Sequence, residues 1–462
     1  MRKMYVNILN KKVAVCTLGC KVNQYESDSM MDILKKNGCE IVPFSQFADV
    51  YIVNTCSVTN MAERKSRQML HRAKKKNPEA VIVAAGCYVQ AAEEALAKDL
   101  GIDILIGNNC KKDVARILSE YYEDTSMHEV VIDINHTNEY EEMTLVKPNE
   151  RCRAYVKVQD GCNNFCTYCI IPYTRGRIRS RKLADVVREV EGLAVEGVQE
   201  VVITGINLSS YEDEDGASLL MLLQAVAKVN GIKRIRMGSL EPRVITEEFL
   251  DGITALDKVC PHFHLSLQSA CNETLKRMNR KYTIEEYMEK CEMIRRAYDR
   301  PAIATDVIVG FPGETEEEFA TTVANLEKLN LYEMHVFKYS KRSGTIAATM
   351  EHQVSDAVKE KRSNVLLELT ANQKAAFEAQ FSGELLPVLM EEYDCIDKDG
   401  KPAYVMKGHT DRYILVKQET TREVCEQSVN TFVDILYRPE KSKSGCWIMA
   451  YGRISLRKYA MN

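Results

Sequence analysis

The stretch Gly161-Cys162-Asn163-Asn164-Phe165-Cys166-Thr167-Tyr168-Cys169 places three thiols within nine residues, in the pattern C-x3-C-x2-C. Thiolates at such short intervals are ligands for zinc or for an iron–sulfur cluster. A structural zinc site normally takes four protein ligands, and no fourth Cys or His follows at finger spacing. Three thiolates on a four-iron cluster would leave one iron open to a small molecule. The pattern therefore favours a cluster with an open coordination position.

This segment closely resembles the cluster loop of the radical S-adenosylmethionine superfamily. The resemblance implies that Cys162, Cys166 and Cys169 hold a 4Fe-4S cluster whose open iron is chelated by the amino and carboxylate groups of S-adenosylmethionine. It also implies that an electron from the cluster cleaves the sulfonium to a 5′-deoxyadenosyl radical, with Tyr168 beside the adenine. The alternative is a loop that carries three unrelated thiols.

Length and composition are those of a multidomain globular protein. The 462 residues suggest about three domains at roughly 150 residues each, and 45% apolar with 28% charged residues is ordinary for this class. No apolar run approaches the ~20 residues of a membrane span, and Met1 to Asn7 lacks the apolar core of a signal peptide. We therefore expect a cytoplasmic protein without a membrane partner. Sixteen cysteines in that compartment indicate metal ligation rather than disulfides. With a net charge of −4, any polyanionic partner must be bound by local basic patches.

The first third of the chain, residues 1–135, alternates buried strands with helices. Strands are predicted at 12–19, 50–54, 80–85 and 102–106, and helices at 23–37 with Asn23 as N-cap, at 60–76, near Ala91 and after Lys111. Such alternation predicts a doubly wound α/β domain with a parallel sheet covered on both faces.

Three cysteines come at the carboxyl ends of these predicted strands. Cys20, Cys56 and Cys87 each follow a strand, one βα unit apart. Because these ends share one edge of a parallel sheet, the three thiols can converge on one metal site, although three separate core thiols give the same pattern.

The segments that surround these cysteines resemble the N-terminal domain of the methylthiotransferases. They read TLGCKVNQYES at 17–27, NTCSVT at 54–59 and AGCY at 85–88. The resemblance implies that Cys20, Cys56 and Cys87 hold a second 4Fe-4S cluster, whose open iron carries the sulfur to be transferred.

Residues 136–150 are polar and unpatterned and predict a linker to a central domain at 151–381. Strands are predicted there at 154–159, 200–204, 233–238, 262–269, 302–310 and 331–340, separated by helices. Thr283 with Glu286 and Thr315 with Glu318 form capping-box patterns at two helix starts. Six parallel strands with crossover helices predict a partial (β/α) barrel with its active site at the carboxyl ends of the strands.

Polar residues at those strand ends are candidate contacts to the nucleoside cofactor, because its ribose hydroxyls and amino acid end need polar partners. Each strand end resembles the corresponding methylthiotransferase segment. Beside Tyr168, the candidates are Asn207, Ser239, Glu241, Gln268 and Asp306. As loop residues or helix caps they would have no such role.

Alternate arginines, Arg175, Arg177, Arg179 and Arg181, follow the cluster loop. Guanidinium groups in an irregular segment beside an active site suit RNA phosphates, and a solvated loop is the alternative. The basic run in the helix predicted at 60–76 leaves the same two interpretations open: a solvated face or a patch for RNA phosphates whose affinity falls with salt.

The C-terminal piece, 383–458, consists of short predicted strands separated by polar turns, which predicts a small antiparallel β-barrel. In strand pattern and position it is similar to the TRAM domain, and this resemblance implies RNA binding.

The sequence TLGCKVNQYE at 17–26 resembles the methylthiotransferase branch that acts on N6-threonylcarbamoyladenosine in tRNA. The isopentenyladenosine branch typically reads Gly-Cys-Gln-Met-Asn, and the branch that acts on a ribosomal-protein aspartate reads Gly-Cys-x-Lys-Asn. The resemblance implies methylthiolation at C2 of the modified adenine at position 37, in the tRNA anticodon loop. An aromatic C–H is not acidic, so this chemistry needs a radical. The family further implies two S-adenosylmethionine molecules per turnover and an electron donor such as flavodoxin or ferredoxin.

Other functions remain open at this point. They are a methylthiotransferase of either other branch, a sulfur-inserting enzyme that acts on a small molecule, and a non-catalytic iron–sulfur protein that binds RNA and responds to redox state.

Overall fold

The computed structural model describes residues 5–97, 101–125, 128–146, 152–398, 400–441, 447–448 and 454–455. Within these ranges three units follow one another along the chain: a parallel six-stranded sheet, a barrel of two mainly parallel sheets, and an antiparallel five-stranded sheet with a separate two-stranded one. Mixed α/β architecture with a partial barrel and a C-terminal antiparallel sheet confirms the predicted fold class. No helix in these ranges is long and apolar enough to cross a membrane.

The N-terminal unit is a six-stranded parallel sheet in the order β2-β1-β3-β4-β5-β6. Its strands are β1 (Lys12–Thr17), β2 (Glu40–Val42), β3 (Val50–Thr55), β4 (Val81–Gly86), β5 (Ile104–Ile106) and β6 (His128–Val130). Its helices are α1 (Lys21–Lys36), α2 (Asn60–Lys76), α3 (Cys87–Ala97) and α4 (Val114–Glu123). Every residue of β3 and β4 is buried, as expected of strands covered on both faces.

Two details of this unit differ from the sequence prediction. The three-residue edge strands β2 and β6 were not predicted, because three residues carry too little alternation to be recognised. Asn23 is not the N-cap of α1, since Cys20 holds that position. The Asn23 side chain is buried instead and donates to the carbonyls of Leu18 and Thr55 at 2.8 and 2.9 Å.

The barrel consists of parallel strands β7 (Arg153–Asp160), β9 (Glu200–Gly205), β10 (Arg234–Met237), β11 (His262–His264), β12 (Ala302–Val309) and β13 (Glu333–Lys338), with antiparallel β8 (Arg179–Ser180) beside β7. Its helices are α5 (Ile171–Thr174), α6 (Leu183–Val195), α7 (Leu219–Ala227), α8 (Glu247–Thr254), α9 (Asn272–Arg277), α10 (Ile284–Ala297), α11 (Glu316–Leu329) and α12 (Asp356–Ala379). Sheets β10-β9-β7-β8 and β11-β12-β13 meet through a bridge between Leu240 and Leu265, which makes a barrel open on one side. Both predicted capping boxes are present at α10 and α11.

Strand β11 ends at His264, five residues before the predicted end. Beyond it, Gln268 adopts a left-handed backbone conformation with φ of 76°. A continuous strand cannot pass through such a residue, so only isolated bridges continue the pairing toward β12.

The predicted linker is packed rather than loose over its described part. Glu141, Met143 and Leu145 are buried, and the Met143 carbonyl accepts a hydrogen bond from the Tyr25 hydroxyl at 2.5 Å. The segment therefore lies between α1 and the barrel. Residues 147–150 of the predicted linker lie outside the described residues.

The C-terminal sheet has the order β16-β15-β14-β17-β20. Its strands are β14 (Leu385–Lys398), β15 (Lys401–His409), β16 (Leu415–Thr420), β17 (Phe432–Leu436) and β20 (Ile454–Ser455), and β18 (Glu440–Lys441) pairs separately with β19 (Trp447–Ile448). One short helix that was not predicted, α13 (Arg422–Ser428), follows β16. Residues 449–451 of the last predicted strand, and Asp399 of the predicted turn, lie outside the described residues.

Candidate functional site

The cluster loop begins where β7 ends, and one glycine lets the chain turn there. Gly161 has φ of 74°, and a Cβ on it would lie 1.9 Å from the Arg177 carbonyl oxygen, so no larger residue fits. The chain after α9 holds the loop from the other side. The Thr167 N–H donates to the Met278 carbonyl at 3.1 Å, and the Asn279 amide donates to the Phe165 carbonyl at 3.0 Å.

Polar hydrogens point at the sulfurs of this loop. Cys162 Sγ accepts from the Asn164 N–H at 3.5 Å and from Asn207 Nδ2 at 3.9 Å. Cys166 Sγ accepts from Arg280 Nη1 at 3.4 Å. Such donors stabilise thiolates, which is the form that binds a metal. Burial raises the pKa of Cys162 and raises that of Cys169 to about 12, so these thiols are protonated at neutral pH until a metal displaces the proton.

Two cavities open on either side of the loop. The first, which we call the Tyr168 cavity, has a volume of about 230 Å³ and is lined by Tyr168, Cys169, Gln268 and Asp306 from the barrel and by Val58 and Thr59 from the N-terminal unit. The second, the Glu241 cavity, has a volume of about 290 Å³ and is lined by Asn164, Cys166, Asn207, Glu241 and Arg280. Cys169 of the loop therefore borders the first cavity and Cys166 the second.

Five of the six predicted cofactor contacts lie in these cavities. Tyr168, Gln268 and Asp306 line the first, and Asn207 and Glu241 line the second. Ser239 is exposed at the end of β10 and belongs to neither lining. The backbone of Gln268 is fixed in its unusual conformation by an N–H bond to the Asp306 carbonyl at 2.9 Å and by the Ile308 N–H at 2.8 Å.

The other three cysteines meet at the edge of the N-terminal sheet. Cys20 follows β1, Cys56 follows β3, and Cys87 is the first residue of α3 after β4. Strand order reverses between β1 and β3, and ligands bind at such a switch point in open α/β sheets. A Cβ on Gly19 would lie 2.9 Å from Cys56 Sγ, so glycine allows the Cys20 loop to approach Cys56.

The electrostatics of these thiols also indicate mutual proximity. Burial, with a contribution from the neighbouring Cys87 and Cys20, raises the pKa of Cys56 to about 12. In the described part of the chain, the one trio of His, Cys, Asp or Glu ligand atoms that all lie within 4.8 Å of one another is His264, Asp306 and His335. In neither cysteine triad do all three sulfur atoms lie within 4.8 Å of one another.

An arginine from the barrel completes the surroundings of Cys87. Arg175, fully buried, donates from Nε to Cys87 Sγ at 3.3 Å and from Nη1 to Glu26 at 2.6 Å and Asp160 at 3.1 Å. Asn108 Nδ2 lies 3.5 Å from the same sulfur. Arg175 comes six residues after Cys169, the last cysteine of the cluster loop. Its side chain therefore connects the segment that carries the first thiol triad with Cys87 of the second.

The prediction that the alternate arginines bind RNA is wrong for three of them. Arg175 has the partners just named; Arg179, buried, donates to the Arg175 and Arg177 carbonyls at 2.9 and 3.1 Å; Arg181, buried, binds Glu189 and Glu142. Each guanidinium is neutralised inside the protein and does not face a solution partner. Arg177 is half-buried, with its guanidinium 4.7 Å from the centre of the Phe165 ring.

Helix α2 presents the basic surface that those arginines lack. It buries Ser66, Leu70 and Ala73 against the sheet. The residues on its exposed side include Arg64, Lys65, Arg67, Arg72, Lys75 and Lys76. Asn60, at the first turn, donates through Nδ2 to the Lys341 carbonyl at 3.1 Å, which fixes this end of the helix beside the mouth of the Tyr168 cavity.

Sequence reasoning missed Arg280 and Asn164. Arg280 Nη2 binds both oxygens of Glu241 at 3.0 and 3.1 Å, and Asn164 Nδ2 lies 3.3 Å from the same carboxylate. No spacing in the sequence connects Arg280 with a loop 114 residues earlier, so only the fold reveals the contact.

Comparisons with known proteins agree with this geometry. The family model of the radical SAM superfamily matches residues 156–326, and that of the uncharacterized protein family UPF0004 matches residues 12–107. The chain is 39% identical to the threonylcarbamoyladenosine tRNA methylthiotransferase MtaB of Bacillus subtilis, over 89% of this chain and 91% of the relative. The enzyme of the same name from Aquifex aeolicus is also 39% identical, over 89% and 98%.

A relative of another name matches over a shorter span. The tRNA-2-methylthio-N(6)-dimethylallyladenosine synthase of Thermoanaerobacter pseudethanolicus is 39% identical over 81% of each chain. Among solved structures, the radical S-adenosylmethionine methyltransferase TsrM of Kitasatospora setae superposes with a TM-score of 0.54 at 16% identity, over 74% of each chain. At that identity, the similarity concerns the fold alone.

Proposed function

The chain belongs to the radical S-adenosylmethionine methylthiotransferase family, and on this basis we propose that it converts N6-threonylcarbamoyladenosine at tRNA position 37 to the 2-methylthio derivative. One observation carries the proposal. The Tyr168 cavity is lined by Cys169 of one thiol triad and by Val58 and Thr59, two and three residues after Cys56 of the other. A base in this cavity would lie between the two thiol triads.

Membership of the radical SAM superfamily implies one 4Fe-4S cluster and S-adenosylmethionine. When bound on Cys162, Cys166 and Cys169, this pair supplies the radical that removes hydrogen from an unreactive C–H bond. The residues of the chain present fit this group, since two of the three thiols receive N–H donors and two of them, Cys169 and Cys166, line the two cavities. Arg280 holds Glu241 in place, so the carboxylate is positioned for the cationic or hydroxyl groups of a cofactor.

We propose that Cys20, Cys56 and Cys87 hold a second 4Fe-4S cluster, which supplies the sulfur. The donor set fits, because the Arg175 N–H and the Asn108 amide donate to Cys87 Sγ. Asn23 Oδ1 accepts from Arg175 Nη2 at 2.6 Å, which fixes the guanidinium beside the triad. These residues orient the ligands and exclude water from the buried side of the site.

The choice of branch rests on two observations. Lys21-Val22-Asn23-Gln24 follows Cys20, as in the threonylcarbamoyladenosine branch. Two relatives named for that substrate align over 89% of the chain, against 81% for the dimethylallyladenosine enzyme at the same identity. We propose that tRNA approaches along the basic face of α2, whose first turn borders the Tyr168 cavity. A flavodoxin or ferredoxin is the proposed electron donor, and tRNA as substrate favours a cytoplasmic site of action.

Mass spectrometry of tRNA nucleosides from cells with and without the gene tests this proposal. Loss of 2-methylthio-N6-threonylcarbamoyladenosine, with accumulation of its precursor, is expected. Loss of the methylthio isopentenyl nucleoside instead would refute the branch. If neither nucleoside changes, the proposed reaction is refuted.

The anaerobically reconstituted protein provides the second test. Cys162→Ala should abolish formation of 5′-deoxyadenosine from S-adenosylmethionine under reducing conditions, whereas Cys395→Ala, a change at an exposed thiol far from either triad in sequence, should leave it intact. A wild-type protein that binds tRNA but forms no 5′-deoxyadenosine would support the non-catalytic RNA-binding alternative.

A further inference from the structure

A third cavity, of about 240 Å³, lies where the N-terminal unit, the barrel and the C-terminal sheet meet. We call it the Lys21 cavity. Its lining is strongly basic and includes Lys21, Arg153, Arg236, His262, His264 and His335. No step proposed so far uses it.

Most charges around this cavity are neutralised by partners. Arg153 Nε and Arg236 Nε lie 2.9 and 2.8 Å from Glu200, and Glu333, the acidic residue of the lining, binds Lys374 at 2.6 Å. The Asp306 carboxylate lies 3.3 Å from His264 Nε2. Glu200 and Glu333 are thus already paired with other cations, and Asp306 acts on Lys21 only through its longer-range charge.

Lys21 is the exception. Within the described residues, its ammonium makes no hydrogen bond or ion pair, although it lines the cavity beside two arginines. Lys21 is exposed and borders the cavity, so its ammonium offers an unpaired positive charge to a ligand there.

One histidine nitrogen of the cavity also lacks a hydrogen-bond partner. His264 Nδ1 is buried with no hydrogen-bond partner among the described residues, and the His264 and His335 rings stack at 5.6 Å. Burial lowers the pKa of His262 well below its usual value, and Arg236 and Lys21 lower it further, which reflects the excess positive potential. Buried polar groups are normally satisfied, so an unpaired nitrogen beside an unpaired ammonium indicates a ligand with acceptor oxygens.

The cavity is adjacent to the proposed reaction site. His264 of its lining contacts Asp306, which lines the Tyr168 cavity, and Lys21 directly follows Cys20. A group attached to a base in the Tyr168 cavity can therefore extend toward Lys21. The N6 substituent of threonylcarbamoyladenosine ends in a carboxylate, whereas an isopentenyl substituent is uncharged and apolar.

We propose that the Lys21 cavity receives the carboxylate of the amino acid substituent on the adenine, with Lys21 as its counter-charge and His335 as a neighbouring donor. This inference rests on the proposed function and identifies a residue that determines specificity for that reaction. An apolar substituent gains no ion pair with Lys21, so the cavity favours the acid.

The test compares two substrates in the wild-type enzyme and in variants at Lys21. The substrates are anticodon stem-loops that carry threonylcarbamoyladenosine or its methyl ester, which differ in the carboxylate charge. Wild type should prefer the acid in kcat/KM by about 10- to 100-fold, the range for a hydrogen bond to a charged group. Lys21→Met should lose this preference and use the acid as poorly as wild type uses the ester. Lys21→Arg should retain most of the preference.

The control is Lys182→Met, the same substitution at an exposed lysine paired with Glu214, which should keep the wild-type preference. Because Lys21 follows Cys20, iron content and the electron paramagnetic resonance of both clusters are measured in each variant. If Lys21→Met loses a cluster, its rates are set aside. The ratio of kcat/KM for acid and ester, measured with the wild-type enzyme, then decides whether the carboxylate is recognised. Equal use of acid and ester by wild type would overturn the inference and leave the proposed function intact. Conversion of neither would instead refute the proposed function.

Discussion

Replacement of Glu26 by Gln should be among the most destabilising conservative changes in the chain. Glu26 on α1 is buried and accepts from three cations: Lys157 at 2.9 Å, Arg175 at 2.6 Å and Lys111. An amide retains one acceptor oxygen, and its NH2 group would face cationic donors. Removing one partner of a buried ion pair costs about 3–5 kcal/mol, and we expect Glu26→Gln to lower the free energy of unfolding by that amount.

Urea unfolding followed by circular dichroism measures this loss. The first unfolding transition is compared among variants, because a chain with several structural units need not unfold in one step. The matched control is Glu120→Gln, where the carboxylate binds Arg116 at 2.9 Å but is half exposed, and a loss of about 0–1 kcal/mol is expected. Equal losses for the two variants would refute the view that the interior charges depend on Glu26.

Four further outcomes follow from the site. Cys56→Ala should still cleave S-adenosylmethionine but form no methylthio product, and product formation measured by mass spectrometry would exclude the second cluster. Glu241→Gln, which weakens the carboxylate network of the second cavity, should raise the KM for S-adenosylmethionine by about tenfold, whereas a change in kcat alone would contradict a binding role. Burial acts to raise the pKa of Glu26 and of Asp160, but Arg175 and the buried lysines outweigh it and hold the pKa of Glu26 well below its usual range and that of Asp160 at about 2. The stability that these two carboxylates contribute should therefore be complete above pH ~4.5 and be lost as pH falls toward 2. Acid titration of the free energy of unfolding measures this loss. Arg64→Gln, on the exposed face of α2, should reduce the salt dependence of tRNA affinity by about one phosphate contact, and an unchanged slope would place the RNA elsewhere.

The parts of the site that the sequence predicts are those with local signals. Parallel strands and helix caps have periodicity or short spacing, so the positions of Cys20, Cys56 and Cys87 at strand ends could be worked out before the structure. The capping boxes at Thr283 and Thr315 are equally local, since both partners lie within three residues. Because the carboxyl ends of parallel strands share one edge of a sheet, the strand pattern predicts that these distant thiols lie at the same edge.

The arginines after the cluster loop show why the remainder was not predictable. A run of alternate arginines looks the same whether it faces solvent or interior acids. One acid that binds Arg175 is Glu26, 149 residues away, and no local pattern indicates this pairing. Likewise the end of β11 depends on the left-handed conformation of Gln268, which its contacts with Asp306 and Ile308 stabilise from another strand.

The reach of Arg175 from the barrel to Cys87 bears on how this protein can be divided. A fragment that ends before β7 would lose a donor to one of its own thiols, and the Glu26 carboxylate would lose two of its three cations. The N-terminal unit is thus not a portable module that evolution or an engineer can graft onto a different barrel unchanged. The two thiol triads depend on the same buried contacts, so both units have to be kept together in any recombined protein.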